Sequence, residues 1–168
     1  MKRLFIIAVL LISMQAASSA AWQIGVDLRC IDSAFMGALR LDAEASYRFG
    51  RVRVTLPLRY SHSFSYELDF AETGLYVSVY PFDGYGFFAG VSLVRLGVFW
   101  GLEAPSERFM FFTEAMVGWT FEFPYFYIEP RFTMTDIFSS ETGRMDVLSK
   151  AIPQYTQFRI SLIAGTAF

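Results

Sequence analysis

From residue 22 onward, apolar and polar side chains alternate with a period of two, which is the pattern of a β-strand with one apolar face. Glycine, proline and short polar stretches interrupt the alternation and divide it into eight segments. We predict one strand over each segment: residues 22–29, 39–49, 51–60, 71–80, 87–93, 109–122, 126–135 and 157–168. The predicted fold class is therefore all-β, with eight antiparallel strands.

The glycines inside the predicted strands lie on the same face as the charged residues. These glycines are Gly25, Gly74, Gly90, Gly118 and Gly165. Closing a small sheet into a barrel crowds the face that points inward, so small residues between long charged ones predict that the polar face lines the interior. The opposite face is apolar, and we predict that it contacts lipid.

The charged residues on the inward face are predicted to form a polar network. Its predicted members are Asp27, Arg29, Arg40, Asp42, Glu44, Arg53, Arg59, Glu72, Glu114, Glu129, Arg131 and Arg159. Every basic member is an arginine, whose planar guanidinium group suits enclosed pairing with carboxylates. Because arginines and acids are about equally frequent, we expect a neutral, paired network and a plugged interior rather than a wide channel.

The orientation of the two faces follows from the cost of placing charge in lipid. An arginine on the lipid face costs roughly 2 to 4 kcal/mol at the bilayer midplane, so turning half of the arginine-bearing strands would cost on the order of 10 kcal/mol. The pattern therefore favours a transmembrane barrel. A soluble, lipocalin-like carrier with eight strands is the structural alternative, because alternation alone does not identify the face that contacts water.

The connections between the predicted strands alternate in length. Short turns are expected near Gly50, Asp83 and Pro124, and longer polar links at residues 30–37, 62–69, 97–108 and 136–153. Short connections at one end and long ones at the other are typical of an up-and-down outer-membrane barrel with periplasmic turns and extracellular loops. Aromatic residues cluster toward both ends, as they do at the two interfaces of a membrane.

Residues 1–20 have the features of a secretory signal peptide: Lys2 and Arg3, an apolar stretch over residues 4–14, and small residues before a predicted cleavage after Ala20. We predict one transmembrane β-barrel domain over residues 21–168. The hydrophobic fraction of the chain, 54%, is high for a secreted soluble protein. After residue 20, however, charged residues or proline interrupt every apolar stretch of helical length, so membrane-spanning helices are not expected.

Two features allow more than one interpretation. Pro57 and Pro130 lie within predicted strands, where the missing N–H indicates either a bulge or kink, or a weakened seam through which an apolar solute passes sideways. Residues 94–102, with Arg95 as the only charge, form either the upper part of strand five in a membrane-anchored hairpin or an apolar lip for a small hydrophobic ligand. The polar residues 139–146 are expected in an exposed loop that is a candidate for binding an external surface ligand.

The chain resembles the eight-stranded outer-membrane barrel proteins of diderm bacteria, the class that includes the OmpX, OmpW and OmpA-type barrels. The most specific element is the last strand, where Phe168 shares a face with Thr166, Ala164, Leu162 and Ile160. This pattern is similar to the signal that the barrel-assembly machinery recognises. The resemblance implies an outer-membrane location with lipid around the barrel, and a role as an envelope or surface platform with exposed loops.

The resemblance also supplies two alternative functions. Trp22 at the start of strand one is similar to OmpW-type barrels, which implies a narrow conduit for small hydrophobic molecules. A lipid A-modifying enzyme is the other alternative, with the single histidine, His62, beside Ser61 and Ser63; however, Phe64 occupies the position of the serine in the His-x-Ser element of such enzymes.

The remaining composition narrows the partners and the chemistry. The net charge is −2 and no run of basic residues is present, which argues against a nucleic-acid partner. We predict no cofactor, no metal site and no catalytic residues, and the first hypothesis is a protein that is not an enzyme. Cys30 is the single cysteine, so an internal disulfide is not possible.

Overall fold

The structure is a computed structural model that describes residues 21–35, 37–82, 86–101, 104, 106, 108–135, 148–152 and 155–168. The predicted signal peptide, Asp83 of one predicted turn and residues 139–146 of the last predicted loop lie outside the described residues.

Strands account for most of the described chain. They are β1 (Ala21–Asp27), β2 (Ala38–Phe49), β3 (Val52–Ser63), β4 (Leu68–Val79), β5 (Phe87–Gly101), β6 (Phe109–Phe111), β7 (Glu114–Trp119), β8 (Phe121–Glu122), β9 (Tyr127–Thr135) and β10 (Phe158–Ala167). A short helix, α1 (Cys30–Phe35), follows β1, and residues 148–151 are also helical. In the parts of the chain that the structure describes, no helix is both long and apolar enough to cross a membrane.

The strands form one closed antiparallel barrel. Three short strands lie between β5 and β9: β6 pairs with β5, β8 pairs with β9, and β7 pairs with β5 and with β9. Together they occupy one strand position of the barrel. β1 pairs with β2 on one side and with β10 on the other, which closes the sheet. Trp22 and Phe168 exchange two backbone hydrogen bonds, of 3.0 and 2.9 Å, at one end of this closure. The predicted all-β fold with eight antiparallel strand positions is confirmed.

Side chains alternate between the inside and the outside of the barrel along the long strands. In β2, Arg40, Asp42 and Glu44 are buried, whereas Leu39 and Leu41 are exposed over 41% and 55% of their surface. An alternation with period two must place one set of side chains inside, and the charged set is inside here. The barrel therefore has a polar interior and an apolar exterior, the orientation that the glycine and charge pattern predicts.

Apolar side chains close the interior at the loop end. Phe70, Phe99, Met110 and Phe112 project from the barrel wall, and Leu148, Ala151, Ile152 and Tyr155 from the last loop pack against them. Leu148 and Ile152 are completely buried. We call this group, together with Ala38, the apolar cap. A smaller group of Tyr76, Tyr80, Phe88 and Met116 lies inside the barrel toward the short turns.

The two prolines within strands interrupt the hydrogen-bond ladder without changing its register. Thr55 pairs with Tyr76 and Leu58 with Thr73, so the pairing of β3 with β4 resumes in the same register beyond Pro57. Pro130 likewise lies opposite Trp119, the last residue of β7, and pairing is in the same register on both sides of it. A bulge at these prolines is therefore ruled out; each proline removes one N–H donor and the ladder opens locally.

A bulge lies in β5 instead. Leu75 of β4 pairs with Val94 and Tyr76 pairs with Ser92, which leaves Leu93 as the extra residue. Leu93 and Val94 are both exposed, and the alternation is inverted from Val94 onward. β5 then continues to Gly101, so residues 94–101 belong to the upper part of this strand, and Leu102 lies outside the described residues.

Candidate functional sites in the interior and on the outer wall

Eight charged residues form a continuous set of ion pairs in the middle of the barrel, which we call the central cluster. Its members are Asp27, Arg40, Asp42, Arg59, Glu72, Arg95, Glu114 and Arg159, from β1, β2, β3, β4, β5, β7 and β10. Arg59 bridges Asp42 at 2.8 Å and Glu72 at 2.7 Å. The network joins strands on opposite sides of the barrel, so it forms only when the sheet has closed.

Glu114 is the carboxylate with the most basic partners in the central cluster. It contacts Arg95, Arg159 at 3.2 Å and Arg59 at 3.7 Å, and it accepts a hydrogen bond from the hydroxyl group of Tyr76. Its side chain is completely buried. A buried carboxylate needs several donors to replace its lost hydration, and this arrangement supplies them.

Four further charged residues form a second set nearer the short turns, which we call the lower cluster. Arg53 donates two hydrogen bonds to Glu129, of 2.6 and 2.9 Å, and Arg131 donates two to Glu44, of 2.7 and 2.5 Å. Arg131 also donates to Glu129 at 2.5 Å, which connects the two pairs. These two-pronged contacts are the geometry that arginine, and not lysine, makes with a carboxylate.

Both clusters are electrically balanced. The central cluster holds four arginines and four acids, and the lower cluster holds two of each. A lumen that selects ions of one sign needs an excess of the opposite charge, which neither cluster has. The paired side chains and the apolar cap are buried in the described interior.

Eleven of the twelve residues predicted for the polar network lie in these clusters, and Arg29 does not. The prediction for Arg29 is wrong because β1 ends at Asp27, whose carboxylate accepts a 3.1 Å hydrogen bond from the Arg29 backbone N–H in the turn that follows. The Arg29 side chain is 40% exposed and pairs with Asp32 of α1. Nearby, partial burial and the Asp27 carboxylate raise the pKa of the Cys30 thiol, which lowers its reactivity.

Arg95 also belongs to the central cluster, but alternation counted from Phe87 does not predict that it points inward. An uninterrupted period of two starting at Phe87 places Arg95 on the outside with Leu93. The extra residue in β5 turns Arg95 inward, where its guanidinium contacts Glu72 and Glu114 and lies 3.8 Å from the centre of the Phe112 ring. The sequence did contain a signal for this bulge. An arginine on an apolar face is costly, so its presence at position 95 predicts a bulge before it.

A second group of polar side chains lies on the outer wall near the loop end, and we call it the outer His–Asp cluster. The hydroxyl group of Tyr60 donates a 2.6 Å hydrogen bond to Asp69, and Nδ1 of His62 lies 2.9 Å from the same carboxylate oxygen. Trp100 stacks on Tyr60 with 6.1 Å between ring centres. His62 belongs to β3 and not to a loop, so Ser61 and Ser63 project to the buried side, away from it.

A shallow apolar groove of about 390 Å³ lies on the outer wall next to the outer His–Asp cluster, and we call it the outer groove. The outward side chains that line it are Leu41, Ala43, Leu58, Tyr60, Ala71, Thr73, Leu96 and Val98. Ala43, Ala71 and Thr73 are small and lie between larger neighbours on β2, β3, β4 and β5. Only the cross-strand register brings these residues together, so the pattern along the chain did not predict the groove.

Comparison of the chain with protein-family models, with curated proteins and with solved structures finds no match. Among the described residues, no three histidine, cysteine or acidic side chains come together in an arrangement that could hold a metal ion.

The outward residues of the predicted assembly signal lie on one face of β10 and its extension. Ile160, Leu162 and Phe168 are exposed over 58%, 36% and 71% of their surface, and Ala164 and Thr166 share this face. The five residues thus form an apolar stripe on the strand that closes the barrel against β1.

Proposed function

We propose that this protein is an integral protein of a bacterial outer membrane, with lipid around the barrel wall, loops outside the cell and termini in the periplasm. The observation that carries the proposal is the inversion of the barrel: charged side chains are buried and large apolar side chains such as Leu58 and Ile160 are more than half exposed. Apolar area left in water is unfavourable, whereas the same area in lipid costs nothing. Among the described residues, the outward side chains in the middle of the wall carry no charge, as a surrounding bilayer would require.

The soluble, lipocalin-like alternative requires the opposite arrangement. A carrier of this kind holds an apolar ligand in its interior and presents polar side chains to water. Here the interior holds ion pairs such as Arg53 with Glu129. Cell fractionation and gel mobility before and after boiling distinguish the two: we expect the protein in the outer-membrane fraction, with a mobility shift on heating.

Within the membrane we propose a structural role, in which a rigid, filled barrel presents its loops at the cell surface. The balanced clusters and the apolar cap support this role over the alternative of a narrow conduit for small hydrophobic molecules. A platform must be stable and must expose its loops, and a closed interior contributes to its stability.

We expect the purified barrel to show no steady conductance in planar lipid bilayers, because paired charges and the apolar cap lie across the described lumen. Deleting residues 148–152 removes part of the cap and leaves the two charged clusters in place, so we expect this variant to remain closed as well. A porin added at the end of each recording serves as the positive control. Steady unitary currents from the unaltered protein would favour the conduit.

The contact between His62 and Asp69 is the one observation that favours the lipid A-modifying alternative, because a carboxylate orients the histidine in many hydrolases. Such an enzyme also needs a nucleophile, and Ser61 and Ser63 project away from His62. We therefore expect the His62→Ala variant to leave the mass spectrum of cellular lipid A unchanged relative to the unaltered protein. A change in the acyl chains of lipid A in the His62→Ala variant would support the enzyme.

Deleting Phe168 is expected to reduce the amount of assembled barrel severalfold, because it removes the two backbone hydrogen bonds to Trp22 and the last aromatic residue of the β10 stripe. The measurement is the amount of heat-shifting protein in the outer-membrane fraction. Phe158→Ala is the matched control, since it removes an exposed aromatic side chain from the opposite end of β10 and leaves the closure intact. Equal assembly of the deletion variant and the control would contradict the assembly signal.

A further inference from the structure

The seam between β1 and β10, which closes the barrel, ends early at the loop end. Residues 23–27 of β1 pair with residues 163–167 of β10, and one further bond of 2.9 Å runs from the Leu28 N–H to the Leu162 carbonyl. β10 continues four residues beyond this point, to Phe158. Among the described strands, residues 158–161 pair with β9 on one side and with no strand on the β1 side.

Two side chains occupy the place of the missing strand. The N–H and C=O of one residue in a strand point to the same edge, and residues two apart share that edge, so Leu162 and Ile160 both face β1. The Leu162 N–H donates a 3.1 Å hydrogen bond to Oδ1 of Asp27. The Ile160 carbonyl accepts a 3.1 Å hydrogen bond from Nη1 of Arg29. We call Asp27 and Arg29 the seam latch.

Other contacts fix the direction of both latch side chains. Oδ1 of Asp27 also accepts the Arg29 backbone N–H at 3.1 Å, and Oδ2 pairs with Arg40 of the central cluster at 3.3 Å. Nε of Arg29 donates to Asp32 of α1 at 3.0 Å while Nη1 contacts the Ile160 carbonyl. A guanidinium group has donors in a rigid plane, so two partners are enough to orient it. The latch thus connects α1, the seam and the interior.

The two halves of the latch differ in their exposure to solvent. Asp27 is completely buried, whereas the Arg29 side chain is 40% exposed. Exposed hydrogen bonds with little packing around them are where native proteins open locally. Behind the latch, Arg159 and Ser161 of β10 point inward and are buried, and Arg159 belongs to the central cluster. A displacement of Arg29 and Leu28 would therefore uncover the central cluster from the side of the barrel.

We propose that the seam latch is a conformational device: Asp27 and Arg29 hold shut a lateral opening between the end of β1 and β10 that leads to the central cluster. The structure is the closed form, and the open form is a minor state in which Leu28 separates from Leu162 while residues 23–27 stay paired. This inference goes beyond the proposed surface role. It does not depend on the medium around the barrel, because every contact of the latch lies within the chain.

The first test is amide hydrogen exchange, followed by NMR on the barrel in detergent micelles. Arg29→Ala is expected to speed exchange of the Leu28 and Leu162 amides about fivefold, the effect of one hydrogen bond of average strength. The Thr166 amide, near the other end of the seam, should exchange at an unchanged rate. Arg48→Ala is the matched control, since it removes an arginine with one carboxylate partner at the opposite end of the barrel and should leave Leu162 unaffected.

The second test measures access to the interior through the opening. Ser161→Cys places a thiol on the buried side of β10 behind the latch, and Ser78→Cys places one on the buried side of β4. Both are made with Cys30→Ser, so that each protein has one thiol. We expect Arg29→Ala to speed the reaction of Ser161→Cys with a small water-soluble thiol reagent about fivefold, in step with amide exchange, and to leave the rate for Ser78→Cys unchanged.

A third variant weakens the latch without removing it. Asp32→Ala keeps Arg29 and removes the carboxylate that orients it, so we expect a smaller increase in Leu162 exchange than in Arg29→Ala. Every variant is checked for its mobility shift on heating, so that only closed barrels are compared. Arg29 and Asp32 are both partly exposed, and the barrel should assemble without either side chain.

Unchanged Leu162 exchange in Arg29→Ala would overturn the seam latch. An equal increase at Thr166 would also overturn it, because the variant would then loosen the whole seam and not one end. Faster Leu162 exchange without a faster reaction of Ser161→Cys would contradict the lateral opening. None of these results depends on where the protein resides, so they are distinct from the fractionation test of the proposed membrane location.

Discussion

Replacing Glu114 by glutamine is expected to lower the free energy of unfolding by about 3 to 5 kcal/mol, because it leaves buried positive charge without its partner. Glu114 is the carboxylate that Arg159 contacts among the described residues, and it is one of two that Arg95 contacts. Glutamine has nearly the same shape, so the expected loss comes from the charge and not from a cavity. The measurement is equilibrium unfolding in denaturant of the barrel inserted in lipid vesicles.

Two further variants show whether this loss belongs to the central cluster. Glu122→Gln removes the same charge from a side chain that is 59% exposed and is expected to change the free energy of unfolding by less than about 1 kcal/mol. Adding Arg159→Met to Glu114→Gln removes the unpaired arginine and should restore part of the stability. If Glu114→Gln and Glu122→Gln unfold at the same denaturant concentration, the buried cluster does not stabilise the barrel as argued.

Placing an arginine at Leu56 is expected to cost about 2 to 4 kcal/mol when the barrel unfolds from a lipid bilayer. Leu56 lies near the middle of β3 with 46% of its surface exposed on the outer wall, so the new guanidinium group would face the hydrocarbon core. The measurement is again equilibrium unfolding from vesicles, compared with the unaltered barrel.

The matched control is Tyr66→Arg, which adds the same charge to an exposed residue in the hairpin between β3 and β4. It should change stability by less than about 0.5 kcal/mol, as surface substitutions usually do. The comparison is a direct test of the medium around the wall. In a soluble barrel both positions would face water, and the two variants would then be equally stable.

The alternation along the chain was sufficient to predict the closed barrel and the direction of most side chains. Residues such as Arg40, Arg53 and Glu129 are in the interior because a period of two leaves only two faces, and because the charged face is also the one with the glycines. The location in a membrane, the signal peptide and the surface role remain predictions.

Alternation along the sequence predicts the wrong direction for Arg29 and Arg95, and both lie where the period of two is interrupted. The alternation in the sequence continues to Arg29. In the structure the Asp27 carboxylate caps the turn after β1, and the strand ends two residues earlier, at Asp27. Alternation from Phe87 placed Arg95 outside, but an extra residue at Leu93 turns it inward. A local hydrogen bond decides the outcome at Arg29, and a shift between two paired strands decides it at Arg95.

By itself, the sequence determined the number of strand positions, the polar and apolar faces, and a nearly neutral charge inside, since these depend only on the order of residue types. The tertiary structure decided the pairs within the two clusters, the packing of Ile152 and Tyr155 into the apolar cap, and the position of the outer groove below Asp69. These features join residues that are far apart in the chain, because closing the barrel and setting the register of neighbouring strands determine which side chains meet.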